Sequence, residues 1–148
     1  MKAVSRRLLA TGVLVVAVIG TARATDSFVV VVNASVAGTT VRRADLAAVF
    51  LKKAVRWGDG FPANPVDQSG TSPVRKGFSE TVLHMPVMAV VQYWGRQLVS
   101  VAASVRPPTV KASDDEVLIY VAKTNGAVGY VASGTVLPPG VKAVAITE

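Results

Sequence analysis

Residues 67–75, Asp67-Gln68-Ser69-Gly70-Thr71-Ser72-Pro73-Val74-Arg75, gather the groups that could hold an anion. Pro73 suits the first helical position, where its missing N–H is an orphan in any case. Ser72 then falls at the N-cap, where its hydroxyl can accept a bond from an early helical N–H. The unpaired N–H groups of such a helix start point outward and attract negative charge. Ser69, Thr71 and Ser72 add hydroxyls, Gly70 lets a ligand approach the backbone closely, and Arg75 adds a cation in the first turn.

Other chemistries find little support. His84 is the only histidine and there is no cysteine, so a zinc site is not expected. Ser72, His84 and Asp67 have the residue types of a nucleophilic set, but no G-x-S-x-G elbow is present and nothing in the sequence brings His84 to Ser72. Neither G-x-x-x-x-G-K-[ST] nor G-x-G-x-x-G occurs, which argues against nucleotide binding. The run Asp114-Asp115-Glu116 reads as the charged start of a helix rather than a metal site. Trp57, Tyr93 and Trp94 read as packing residues. Arg42, Arg43, Lys52, Lys53 and Arg56 form either a docking patch or a solvated helix face. Catalysis, a cofactor and a metal are therefore not expected.

The elements that must position the turn come from a chain of 148 residues, enough for one domain. Residues 1–24 have the layout of a secretory signal peptide: Lys2, Arg6 and Arg7, then an apolar run over 8–20, then Thr21-Ala22-Arg23-Ala24. That run is too short to span a bilayer comfortably. The expectation is a periplasmic or secreted domain over 25–148 with no membrane span once the leader is cleaved. The full chain carries +7, but without the leader's four cations (Lys2, Arg6, Arg7, Arg23) twelve basic residues face nine acidic ones, a net +3. This mild charge removes most of the argument for nucleic acid as a partner. With no cysteine, the domain must be held by its core, which a chain of this size can supply.

The valine-rich run 27–32 suits a strand buried on both faces, followed by a polar loop over 33–40. Residues 44–51 have helical spacing at Leu46, Val49 and Phe50. Gly58, Gly60, Pro62 and Pro65 mark a turn-rich connection to a very short strand ending at Val66. Helices follow over 73–83 and, opened by Pro86, to about Val99. Arg106-Pro107-Pro108 forces extension. Ser113 and Glu116 form a capping box for a helix that runs to Lys123 and stops at Asn125-Gly126, with Gly126 free to turn left-handed. Strands over 127–131 and 141–146 close the domain. Strands alternating with helices imply an α/β domain with a parallel or mixed sheet.

Several segments, in their order and spacing, resemble the phosphate ABC-transporter substrate-binding proteins, of the type 2 periplasmic binding protein fold. They are 46–57 (LAAVFLKKAVRW), 65–78 (PVDQSGTSPVRKGF), Gln92-Tyr93-Trp94, Arg106-Pro107-Pro108, 113–117 (SDDEV) and 125–131 (NGAVGYV). The resemblance implies an α/β fold that is a single lobe of that architecture, a mixed sheet of about four to five strands flanked by helices. It implies a non-enzymatic protein that binds phosphate or a similar oxyanion through Ser69, Gly70, Thr71, Ser72 and Arg75. The chain departs from the family pattern in four places. It has room for one lobe where the family has two, and Pro65 stands near the place of an arginine. Lys52 replaces the glycine that ends a helix, and a left-handed Lys52 costs roughly 1 kcal/mol. Arg42 occupies an N-cap where serine or threonine is expected. A half-site binds weakly because water still solvates its open side. The alternative is a structural or interaction module that has lost its ligand, with an envelope protein or a second copy of itself as partner.

Overall fold

A computed structural model describes residues 27–100 and 104–148. The expected leader over 1–24 lies outside the described residues. In chain order the elements are β1 (Phe28–Asn33), β2 (Thr40–Arg42), α1 (Arg43–Phe50), β3 (Asn64–Gln68), α2 (Pro73–Val82), α3 (Val87–Val99), β4 (Thr109–Lys111), α4 (Asp114–Lys123), β5 (Ala127–Ala132) and β6 (Val141–Thr147). They form a mixed α/β domain around one sheet in the order β2-β6-β1-β5-β3-β4. The sheet has six strands where the sequence reading counts four to five. The additional ones, β2 and β4, are three-residue edge strands with mostly exposed side chains.

β1 is antiparallel to both its neighbours, β5 and β6. Every other pairing is parallel. The central place of β1 explains its valines. Val30 and Val32 point into one core with Leu46, Val49, Phe50, Phe78 and Tyr130, beneath α1 and α2. Val31 points the other way, to Val66, Val117, Val121 and Val131 beneath α4. A run with no polar alternation is what a strand covered on both faces requires. Phe78 stacks flat on Tyr130 with centroids 4.0 Å apart, and Phe28 and Phe50 pack around them. α3 packs on α2, its Val90 and Trp94 are buried, and the Tyr93 hydroxyl donates to Leu51 O at 2.9 Å.

Helix ends follow local chemistry. Ser113 Oγ accepts the Glu116 N–H at 3.3 Å, while the Glu116 carboxylate takes the Ala112 N–H at 3.0 Å. Gly126 has φ 72°, the left-handed backbone its type allows. Arg42 does stand at the α1 N-cap without a capping bond, and its guanidinium instead grips Asp45 through Nε and Nη2. α1 ends on Lys52 with φ 55°. Lys52 N–H donates to Val49 O at 3.1 Å and Lys53 N–H to Ala48 O at 2.8 Å, which makes a Schellman ending. The basic cluster is divided among separate tasks: Arg43 holds Thr81 O and Glu148, and Arg56 holds Gly60 O.

Candidate oxyanion site

β3 does not stop at Val66. It continues through Asp67 and Gln68, which pair with Val110 and Lys111 of β4. Both side chains, which the sequence reading places after the end of the strand, are buried. The turn begins only at Ser69, whose N–H completes the β3–β4 ladder on Lys111 O at 3.0 Å. Ser72 N–H folds back to Ser69 O at 2.9 Å, and α2 starts at Pro73. Ser72 caps α2 as expected, accepting the Arg75 N–H at 3.3 Å, and its hydroxyl donates to Gln68 Oε1 at 2.8 Å.

What remains open to solvent is the tip. Gly70 and Thr71 are exposed, and their N–H groups find no acceptor among the described residues. Ser69 Oγ and Thr71 Oγ1 lie 3.1 Å apart and bond to each other. Two hydroxyls and two N–H groups without an acceptor thus lie within three residues just before a helix start, at the carboxyl end of a parallel strand, where ligands of open α/β sheets bind. Gly70 is not demanded by the fold: a Cβ there would meet nothing nearer than Val87 Cγ1 at 4.0 Å.

Arg75 is placed differently from Ser69 and Thr71. It is buried, with Nη2 3.1 Å from Asp67 Oδ2 and Nη1 donating to Gln68 O at 2.6 Å. The Tyr130 hydroxyl donates to Asp67 Oδ1, and the Gln68 N–H reaches the same oxygen at 2.8 Å. Gln68 Nε2 donates to Asp114 Oδ1 at 2.7 Å and to Tyr130 O at 2.8 Å. The charge of Arg75 is thus spent inside a network that fixes the floor of the turn. Tyr130 and Asp114 have no place in the sequence reading of the site, and Gln68 enters it only as a member of the 67–75 stretch. A carboxylate eight residues before an arginine, across a strand–turn–helix, was the available signal. His84 lies beyond the far end of α2 from Ser72, exposed and with φ 52°. The Ser72, His84 and Asp67 set is therefore not assembled.

Burial, and next the Asp67 carboxylate, push the Tyr130 phenol far above its ordinary value. An unfolded tyrosine ionises near pH 10. The contribution of the phenol is therefore complete below about pH 10 and is lost as pH rises beyond it. The stability difference between the parent and Tyr130→Phe is expected to shrink above about pH 10, as followed by urea melts from pH 8 to 11. A constant difference would remove this assignment.

The domain is thus one mixed sheet with helices on both faces and an open turn at the end of β3. No protein-family model and no curated protein matches the chain. Solved structures do. An ABC-type phosphate transport receptor from Vibrio cholerae matches with a TM-score of 0.61 and 20% identity, over 82% of this chain and 46% of its own. A putative phosphate ABC transporter substrate-binding protein with bound phosphate from Clostridium perfringens gives 0.60 and 15%, over 82% and 45%. PstS from Borrelia burgdorferi gives 0.61 and 13%, over 83% and 48%. The chain thus spans about half the length of the solved structures it matches. The likeness is one of fold. Among the described residues no helix is long and apolar enough to cross a membrane.

Proposed function

We propose that this chain is an exported, non-enzymatic solute-binding-like protein that recognises phosphate or a similar oxyanion at the tip of the turn before α2, in the service of phosphate transport. The observation that carries the reading is the open tip itself. Ser69 and Thr71 offer hydroxyls, Gly70 and Thr71 offer N–H groups, and no atom comes nearer than 4.0 Å to the place of a Cβ on Gly70. The half-length likeness to proteins described as phosphate receptors supports the same reading. Ser72 and Arg75 act from beneath, as the cap and floor of the site. Binding is weak, on the order of millimolar, because one wall leaves the anion half-solvated.

Titration calorimetry with inorganic phosphate tests this. Heat is expected with the parent, and roughly tenfold weaker binding with Ser69→Ala combined with Thr71→Ala. Gly70→Ala is expected to melt within about 0.5 kcal/mol of the parent while losing affinity, since its methyl intrudes only on the ligand. No heat and no thermal shift at millimolar phosphate, or equal binding by all variants, would count against the proposal. One observation favours a second reading, an envelope interaction module without ligand: Arg75 is already neutralised by Asp67, and the Ser72 hydroxyl is committed to Gln68. Silence in the calorimeter with a folded parent is the result that this reading expects.

A further inference from the structure

At the opposite end of β3 from the turn lies a second cavity, of about 340 Å³. It is bounded by the end of α1, the start of β3, the Pro107 segment and α4. Among its lining residues Lys52 and Arg106 are cations, and no carboxylate is present. Neither cation takes part in an ion pair among the described residues. Val55, Pro65, Pro107 and the ring of Tyr120 supply apolar wall. A larger cavity of about 420 Å³ lies between α1 and β2 and β6, but its Arg42 is already bound by Asp45.

Lys52 is the informative residue. Its φ of 55° is the backbone that a Schellman ending gives to glycine. Every bond of that ending is made by the main chain, so the helix end does not use the lysine side chain. Burial lowers the affinity of the amine for its proton. The position therefore carries a conformational cost and a desolvation cost, and no hydrogen bond or ion pair of the Lys52 side chain among the described residues offsets either. An anion in the cavity would offset the second.

We propose that this cavity binds a small organic anion, with its acidic group between Lys52 and Arg106 and its apolar body against Pro65, Pro107 and Tyr120. The volume falls in the range of small-molecule sites, and apolar walls with a few polar anchors are their usual composition. The ligand class is a carboxylate or phosphate monoester carrying a ring or a branched chain. Inorganic phosphate lacks the apolar body and leaves most of this cavity unfilled. The site is independent of the turn at Ser69.

The test is amide NMR of the protein titrated separately with phenyl phosphate, benzoate and inorganic phosphate. At least one of the first two is expected to move the resonances of Lys52, Val55, Asn64, Thr109 and Tyr120, and the tighter of them identifies the headgroup. Inorganic phosphate is expected to leave those resonances in place, whatever it does at residues 69–71, so failure at either site is seen separately. Lys52→Gly keeps the helix ending and removes the charge. It should melt about 3–5 °C above the parent and bind the organic anion roughly tenfold more weakly. Arg106→Gln should show a similar loss with an unchanged melting point. Unmoved cavity resonances with both organic anions, or full affinity in Lys52→Gly, would overturn the proposal.

Discussion

Asp67→Ala is expected to remove about 3–5 kcal/mol from the free energy of unfolding, the scale for breaking one partner out of a buried ion pair. Asp67 and Arg75 are 8% and 8% exposed, and their charged groups are 3.1 Å apart. Without the carboxylate, the guanidinium keeps only the Gln68 carbonyl, and the Tyr130 hydroxyl and the Gln68 N–H lose a shared acceptor. A surface ion pair would cost far less, because water replaces the partner. The damage also reaches the turn. Gln68 is gripped through its main chain by Arg75 and through its side chain by Asp114 and Ser72, so loosening Asp67 loosens the floor beneath Ser69 and Thr71.

The cause is separable from simple loss of packing. Arg75→Met added to Asp67→Ala removes the stranded charge, and the double variant should be more stable than Asp67→Ala alone, by about 2 kcal/mol. Urea melts with an unchanged slope would show that both variants remain two-state. If Asp67→Ala melts within about 1 kcal/mol of the parent, the network is not what anchors the turn.

The features legible in the sequence are those set by neighbours along the chain. The caps at Ser72 and Ser113 rest on bonds reaching three residues, and the structure places both as read; Gly126 is left-handed as read, although its own N–H is held by the distant Ser35. The buried character of β1 was legible for a related reason, since a run of valines between polar residues has few uses. β2 and β4 were not legible: three residues, mostly exposed, carry no period. The length of β3 depended on β4. Once β4 pairs with Asp67 and Gln68, these two become strand, and Arg75 has a buried partner. The direction of the Arg75 guanidinium was therefore decided by a strand that left no trace in the sequence pattern. Residue type and position put Arg75 in the first turn of α2, but could not say which way its guanidinium points.

Gly126→Ala is expected to cost about 3 kcal/mol or more, for two reasons that can be measured apart. Its φ of 72° disfavours any Cβ, and a Cβ built there would sit 1.9 Å from Pro62 O, a main-chain atom that cannot swing aside. Gly60 shares the left-handed backbone, with φ 86°, but a Cβ there meets nothing within 4 Å. Gly60→Ala therefore reports the conformational part alone, about 1 kcal/mol, and the remainder in Gly126→Ala is steric. Close approach is needed at Gly126 because three segments meet there. Its N–H donates to Ser35 Oγ at 3.0 Å, and its carbonyl accepts the Trp57 indole N–H at 3.0 Å and the Asn64 N–H at 3.1 Å. The last of these bonds lies at the first residue of β3, next to its pairing with β5. A methyl at 126 thus pushes on the base of the strand whose other end carries the turn, and anion binding at Ser69 should weaken along with stability. Equal melting temperatures for Gly126→Ala and Gly60→Ala would show that the Pro62 carbonyl yields, and that this junction does not hold β3 in place.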